Sequence, residues 1–226
     1  MAVRLISLDE MCDITTRLFN KYVEPLAETF MTGEVPAVTF VVKRNGTRES
    51  NWLAYTKFKN TVSISSYRCE VYLRDIMELC RRCKIYLITK RIFVVVALYS
   101  MLHPLFQSQY TERTHSDDDY DSMMSAAGKQ TYRFMSKYFN FKTDEDHLTL
   151  NILKYYMMLY TNKFYDLERN ENPKKTFDNY IKMYETRMRS QYSAAYYGAR
   201  KYKANTLLVT PEGFIKMERK KDDNHG

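Results

Sequence analysis

The stretch that decides the fold is PKKTFDNYIKMYETRMRSQYSAAYYGARKYK, residues 173–203. Its periodicity predicts one long helix, and Pro173 suits the first turn, where a missing N–H needs no partner. One stripe at helical spacing is mostly apolar, so we expect it to face the core. The stripe consists of Phe177, Ile181, Tyr184, Met188, Tyr192, Ala195 and Ala199.

The opposite face of this predicted helix separates positive charge from the core stripe. Its residues are Lys175, Lys182, Thr186, Arg189, Ser193, Tyr196, Arg200 and Lys203. Lysine and arginine neutralise phosphates, and an exposed ring such as Tyr196 can stack on an unpaired base. The face therefore predicts binding of RNA or single-stranded DNA. The alternative is an ordinary solvated helix face rich in lysine.

A second basic group surrounds the strongest hairpin signal in the chain, Asn45-Gly46. Lys43, Arg44 and Arg48 would project from the tip of that hairpin, where they could contact a polyanion. They are candidate nucleic-acid-binding residues, and a common exposed hairpin is the alternative.

The net charge of +8 is spread unevenly along the chain. Residues 1–113 carry +5, residues 114–171 carry −3 and residues 172–226 carry +6. A positive field concentrated on part of a surface attracts polyanions, so this asymmetry agrees with a nucleic-acid partner.

Upstream of residue 173, hydrophobic spacing and capping residues predict further helices at about 8–30, 65–84, 89–109, 119–139 and 144–168. The segments 35–42, 50–55 and 61–64 are rich in β-forming residues and predict a small antiparallel sheet. Residues 206–209 and 214–217 flank a Pro-Glu-Gly turn and predict a closing β-hairpin.

Together these patterns predict a mainly helical α+β fold. It would have an N-terminal helix, the small antiparallel sheet, a helical C-terminal half and the closing hairpin. No linker-like stretch divides the chain, so we expect a single domain over residues 1–217. The charged tail, residues 218–226, is expected to be disordered.

The order helix, hairpin, third strand, helix, buried helix resembles the zinc metallopeptidases of the SprT-like, zincin type. In that family the last helix carries H-E-x-x-H, which supplies two zinc ligands and a general base. The matching positions here are Tyr99 to His103, and only His103 is retained. The resemblance therefore implies a catalytically dead scaffold that binds or inhibits a host protein. A lone histidine with local hydrogen bonds is the alternative interpretation of His103.

Other motifs give no catalytic, metal-binding or cofactor residues. Cys80-x-x-Cys83 lacks the second cysteine pair of a structural zinc site, which favours free thiols. His115 with the aspartates at 117–119 and 121 lacks the glycine and distal glutamate of a calcium loop. Nucleotide-binding glycine motifs are absent from the sequence. We expect no enzyme activity, no bound metal and no cofactor.

The leading functional expectation is a non-catalytic protein that binds RNA or single-stranded DNA. A small, basic chain rich in tyrosine and methionine looks like the early proteins of large tailed bacteriophages, some of which bind phage mRNA. The longest apolar run, 92–98, is too short to span a membrane, and the N-terminus lacks a secretory signal. We therefore expect a cytoplasmic location, the host cytoplasm if a phage encodes the chain, and no membrane partner.

Overall fold

The computed structural model describes residues 6–26, 38–43, 67–108, 117–164, 167, 171–201, 207–210 and 213–216. Six α-helices form the body of the described chain. They are α1 (Leu8–Leu18), α2 (Leu73–Arg82), α3 (Lys90–Ser108), α4 (Asp117–Tyr138), α5 (Asp144–Thr161) and α6 (Pro173–Lys201). A π-helical segment, Phe19–Val23, continues α1.

Helix α3 lies at the centre because it is apolar on nearly every side. Of its residues, those at 92–93, 95–99, 101–102 and 105–106 are all buried and apolar. The helix contacts α1, α2, α4 and α5. Despite this apolar composition, every helix in the described ranges falls short of the length and apolar content that a membrane span requires.

Two predicted helix starts are confirmed, each with its capping interaction. Ser7 Oγ accepts a hydrogen bond from the Glu10 N–H at 3.1 Å, and Glu10 Oε2 accepts one from the Ser7 N–H at 3.1 Å. At α5, Asp146 Oδ2 accepts hydrogen bonds from the backbone N–H groups of Lys142 and Thr143, at 2.9 and 3.1 Å. These acidic side chains satisfy backbone donors that a helix start leaves without partners.

Helix α5 ends earlier than predicted. The expected helix ran to residue 168, but α5 stops at Thr161 and Asn162 adopts the left-handed conformation, with φ 51° and ψ 26°. Asparagine tolerates this conformation better than most residues, so it terminates the helix.

The segment between α2 and α3 is buried although it is not helical. Cys83, Ile85, Leu87 and Ile88 all belong to the hydrophobic core. The Tyr184 hydroxyl of α6 donates a hydrogen bond to the Leu87 carbonyl at 2.8 Å and accepts one from the Leu87 N–H at 3.1 Å. One side chain therefore satisfies both backbone groups of a buried residue.

The predicted partner of the first strand is wrong. Strand β1 (Val38–Lys43) pairs in parallel with β2 (Tyr67–Tyr72), with Val38 opposite Tyr67. The prediction joined 35–42 to 50–55 through an antiparallel turn and placed 67–72 in a helix, which instead begins at Leu73. The sequence YRCEVY is rich in β-forming residues, and α2 starts only after it. The predicted strands at 50–55 and 61–64 lie outside the described residues.

The α+β prediction is also wrong as a fold class. The six helices make up most of the described chain, and the small antiparallel sheet and the closing hairpin are not part of this helical body. The short strands β3 (Leu207–Thr210) and β4 (Gly213–Lys216) pair with each other in a separate two-stranded sheet. The helices bury their apolar faces against one another and need no sheet to cover them. The single domain over 1–217 stays a prediction, and the tail 218–226 lies outside the described residues.

Candidate functional site

Helix α6 packs on α5 through the predicted core stripe, which fixes the face that it exposes. Phe177, Ile181, Tyr184 and Met188 are all buried. The stripe prediction is therefore confirmed over these positions, and residues on the far side of the helix face outward.

Ion pairs hold α6 in this orientation on both flanks. Arg187 bridges to the start of α5, with its Nη1 3.1 Å from Asp144 Oδ2 and its Nε 3.3 Å from the buried Glu145 Oε1. Near the start of α6, Lys84 Nζ lies 3.5 Å from Asp178 Oδ1. Arg187 thus neutralises a buried carboxylate.

The outward face of α6 forms a line of exposed residues, which we call the cationic ridge. It consists of Lys175, Asn179, Lys182, Thr186, Arg189 and Ser193, all exposed. The three cations are seven residues apart, which places them about 10 Å from one another along the helix axis. Small uncharged side chains separate them.

The charges of the ridge are only partly neutralised. Arg189 Nη2 lies 3.1 Å from Glu185 Oε2, which forms an ion pair between residues one helical turn apart. Within the described part of the chain, Lys175 and Lys182 have no carboxylate close enough to form an ion pair. These two lysines are therefore available to a bound anion.

Tyr196 does not lie on this exposed face, and this prediction is wrong. Its side chain is completely buried, with the guanidinium carbon of Arg189 5.8 Å from its ring centroid. The cause is a kink at Tyr192, whose φ of −137° and ψ of 42° are not helical. The kink changes the phase of every later residue, so the periodicity that holds before it no longer applies.

The neighbouring Tyr197 is the exposed aromatic residue, with 56% of its surface accessible. The sequence pattern did not identify Tyr197, because the prediction assumed a regular helix through Tyr192 and so placed Tyr196 on the exposed face. The adjacent pair Tyr196-Tyr197 is the signal that could have found it, since consecutive side chains point about 100° apart and a helix with one buried face exposes one of them more than the other.

The other predicted nucleic-acid-binding residues are not located by the structure. The backbone of Arg200 lies in α6 and that of Lys43 in β1, but their side chains are outside the described residues. Arg44, Arg48 and Lys203 are outside them altogether. The structure therefore brings together Lys175, Lys182 and Arg189 of the predicted set.

His103 is a packing residue inside the helical body. Its Nε2 lies 3.1 Å from the Met124 carbonyl oxygen, and its ring stacks on Tyr99 with centroids 5.9 Å apart. Burial lowers the pKa of His103 to about 4. His103 is hydrogen-bonded, but its partner lies on α4, 21 residues away, and not locally as that interpretation expected. In the described ranges, no group of three or more His, Cys, Asp or Glu side chains could hold a metal ion.

Cys80 and Cys83 are free thiols at the end of α2, and both are fully buried. Burial raises the pKa of each thiol above its ordinary value. A buried, protonated thiol behaves as a small hydrophobic side chain, so this pair contributes to the core and not to redox chemistry. His115 and the side chains of the aspartates at 117–119 lie outside the described residues.

A small cavity between α4 and α5 has a volume of about 20 Å³, enough for one water molecule. Gly128, Tyr132, Lys154 and Met157 are among its lining residues. Its size excludes a substrate or a nucleotide.

Comparison with known proteins gives no match: no family model, no curated protein and no solved structure is significantly similar to the chain. The assignment of the candidate site therefore rests on the geometry and charge of the residues described above.

Proposed function

We propose that this chain is a non-catalytic protein that binds RNA or single-stranded DNA along the cationic ridge of α6. The observation that carries the proposal is the alignment of Lys175, Lys182 and Arg189 on one exposed face, separated by small uncharged residues. A nucleic-acid backbone presents phosphates in a line, and each phosphate neutralised by a cation releases bound counterions.

The charge of the whole chain supports this proposal. A net charge of +8 attracts polyanions from a distance and raises their rate of encounter with the surface. The outward face of α6 also offers hydroxyl and amide groups, such as Thr186 and Ser193, which can hydrogen-bond to phosphate oxygens.

The alternative is a metallopeptidase-like scaffold that binds a host protein. It has weaker support, because the histidine on which that resemblance depends is buried against Met124 and Tyr99. Helix α3 has its Tyr99 to His103 segment inside the core, where a partner cannot reach it.

The test is a triple substitution of the ridge cations, Lys175→Gln, Lys182→Gln and Arg189→Gln. Fluorescence anisotropy with an oligouridine of about 16 nucleotides should show binding by the parent chain. At moderate salt we expect the triple variant to bind more than about tenfold more weakly. The slope of log affinity against log salt should fall by about 2, because three phosphate contacts each contribute roughly 0.7 for a single strand.

The matched control removes charge elsewhere. Lys21→Gln with Lys137→Gln changes two exposed lysines on the π-helical segment and on α4, and this variant should lose much less affinity than the triple variant, because it keeps the ridge. Circular dichroism should show that both variants keep their helices. A folded triple variant that binds oligouridine as tightly as the parent at every salt concentration would contradict the proposal and shift the assignment to a protein partner.

A further inference from the structure

The cationic ridge leads to an exposed aromatic side chain. Tyr197 follows Ser193, the last residue of the ridge, at a spacing of four residues on the same helix. Its side chain is 56% exposed, whereas most other tyrosines of α6 are partly or fully buried. Because the ring of Tyr196 lies beside both Arg189 and Tyr197, the Tyr197 ring is near the C-terminal end of the ridge.

The ring of Tyr197 packs against a buried neighbouring ring. It meets the ring of buried Tyr196 edge to face, with centroids 5.9 Å apart and an interplanar angle of 73°. The Arg189 guanidinium lies over the same Tyr196 ring. One buried ring thus contacts both the last cation of the ridge and the exposed tyrosine, which reduces the conformational freedom that Tyr197 would lose on binding.

We propose that Tyr197 stacks on an unpaired base of the nucleic acid bound along the ridge, so that the site selects single strands over duplexes. This inference rests on the proposed function. In a duplex the faces of each base are covered by its neighbours, and only an unstacked base can present its face to a side chain. Phosphate contacts alone would bind both forms.

The experiment compares Tyr197→Ala and Tyr197→Phe with the parent chain, using oligouridine and an RNA duplex of equal length. Tyr197→Ala should weaken single-strand binding about tenfold or more and leave duplex binding unchanged, because a duplex presents no unstacked base to the ring. Tyr197→Phe keeps the ring and should bind within about twofold of the parent.

Tyr138→Ala is the matched control. Tyr138 is 58% exposed on α4, and Lys137 Nζ lies 5.1 Å from its ring centroid, so it resembles Tyr197 in exposure and in having a cation beside it. Its removal should not change single-strand binding. If Tyr138→Ala weakens binding as much as Tyr197→Ala, the assignment of stacking to Tyr197 is wrong.

The outcomes separate the two proposals. If Tyr197→Ala binds oligouridine normally while the triple ridge variant does not, the stacking inference is overturned and the proposed function stands. If the triple ridge variant also binds normally, both fail. Loss of single-strand binding in Tyr197→Ala, with recovery in Tyr197→Phe, supports both.

Discussion

The Tyr184 hydroxyl joins α6 to the connection between α2 and α3 through two buried hydrogen bonds. It is a donor to one backbone group of Leu87 and an acceptor from the other, inside a core that is closed to water. A buried backbone group without a partner costs free energy comparable to a lost hydrogen bond. This one hydroxyl therefore contributes two hydrogen bonds to the stability of the core.

Tyr184→Phe should lower the free energy of unfolding by about 1–3 kcal/mol, because it removes a hydroxyl that hydrogen-bonds to both backbone groups of buried Leu87. Urea denaturation measures the change. Tyr180→Phe removes a hydroxyl from a half-buried ring on the same helix and should change stability by less than about 0.5 kcal/mol. Equal effects of the two substitutions would show that the Leu87 contact is not stabilising.

At the scale of the element, the end of α2 shows how a helix stops without glycine. The Ile85 N–H bonds to the Cys80 carbonyl at 2.8 Å and the Lys84 N–H to the Arg81 carbonyl at 3.0 Å, which is the Schellman pattern. The pattern needs a left-handed residue at Lys84, and its φ is 58°. Lysine pays a steric cost there that glycine would not.

Lys84→Gly should therefore be more stable than Lys84→Ala by about 1 kcal/mol. Both substitutions remove the ion pair with Asp178, so their difference isolates the effect of the added Cβ. The order should reverse at Lys182, in the middle of α6, where alanine is favoured over glycine by about 1 kcal/mol. Thermal melting of the four variants gives both comparisons, and the same order at both positions would contradict this account.

Local sequence patterns predicted most of the helices. They predicted only in part which side chains of α6 are exposed at the candidate site. The helix starts at Leu8 and Asp144 and the stripe from Phe177 to Met188 follow from neighbouring residues alone. The parallel partner of β1 does not, because strand pairing depends on residues distant in sequence. The kink at Tyr192 has no sequence signal such as proline, and it moved Tyr196 inward and Tyr197 outward.

At the scale of the whole molecule, His103 links stability to pH. The folded chain holds this imidazole with a pKa of about 4, against 6.5 for an ordinary histidine. Between these values the unfolded chain binds a proton that the folded chain does not. His103 therefore makes its full contribution to the free energy of unfolding above about pH 6.5. As the pH falls toward 4, this contribution decreases by about 3 kcal/mol.

Urea midpoints measured between pH 7.5 and pH 4.5 should fall with pH, and the fall should be smaller in His103→Gln, which has no proton to bind. Should that variant fail to fold, NMR titration of the four histidines gives a second measurement. One imidazole should remain neutral at pH 5. If all four titrate near pH 6.5, this account of His103 is wrong.

The bond between Leu87 and Tyr184 also orders events in a growing chain. The two residues are 97 positions apart, so a ribosome adding about 5–20 residues per second completes Leu87 roughly 5–20 s before Tyr184. During that interval α1 to α4 can already associate, but Leu87 lacks its two hydrogen bonds to Tyr184. The packing of α6 on the connection between α2 and α3 is therefore completed only after Tyr184 has been synthesised, and a nascent chain halted before Tyr184 lacks both of these hydrogen bonds.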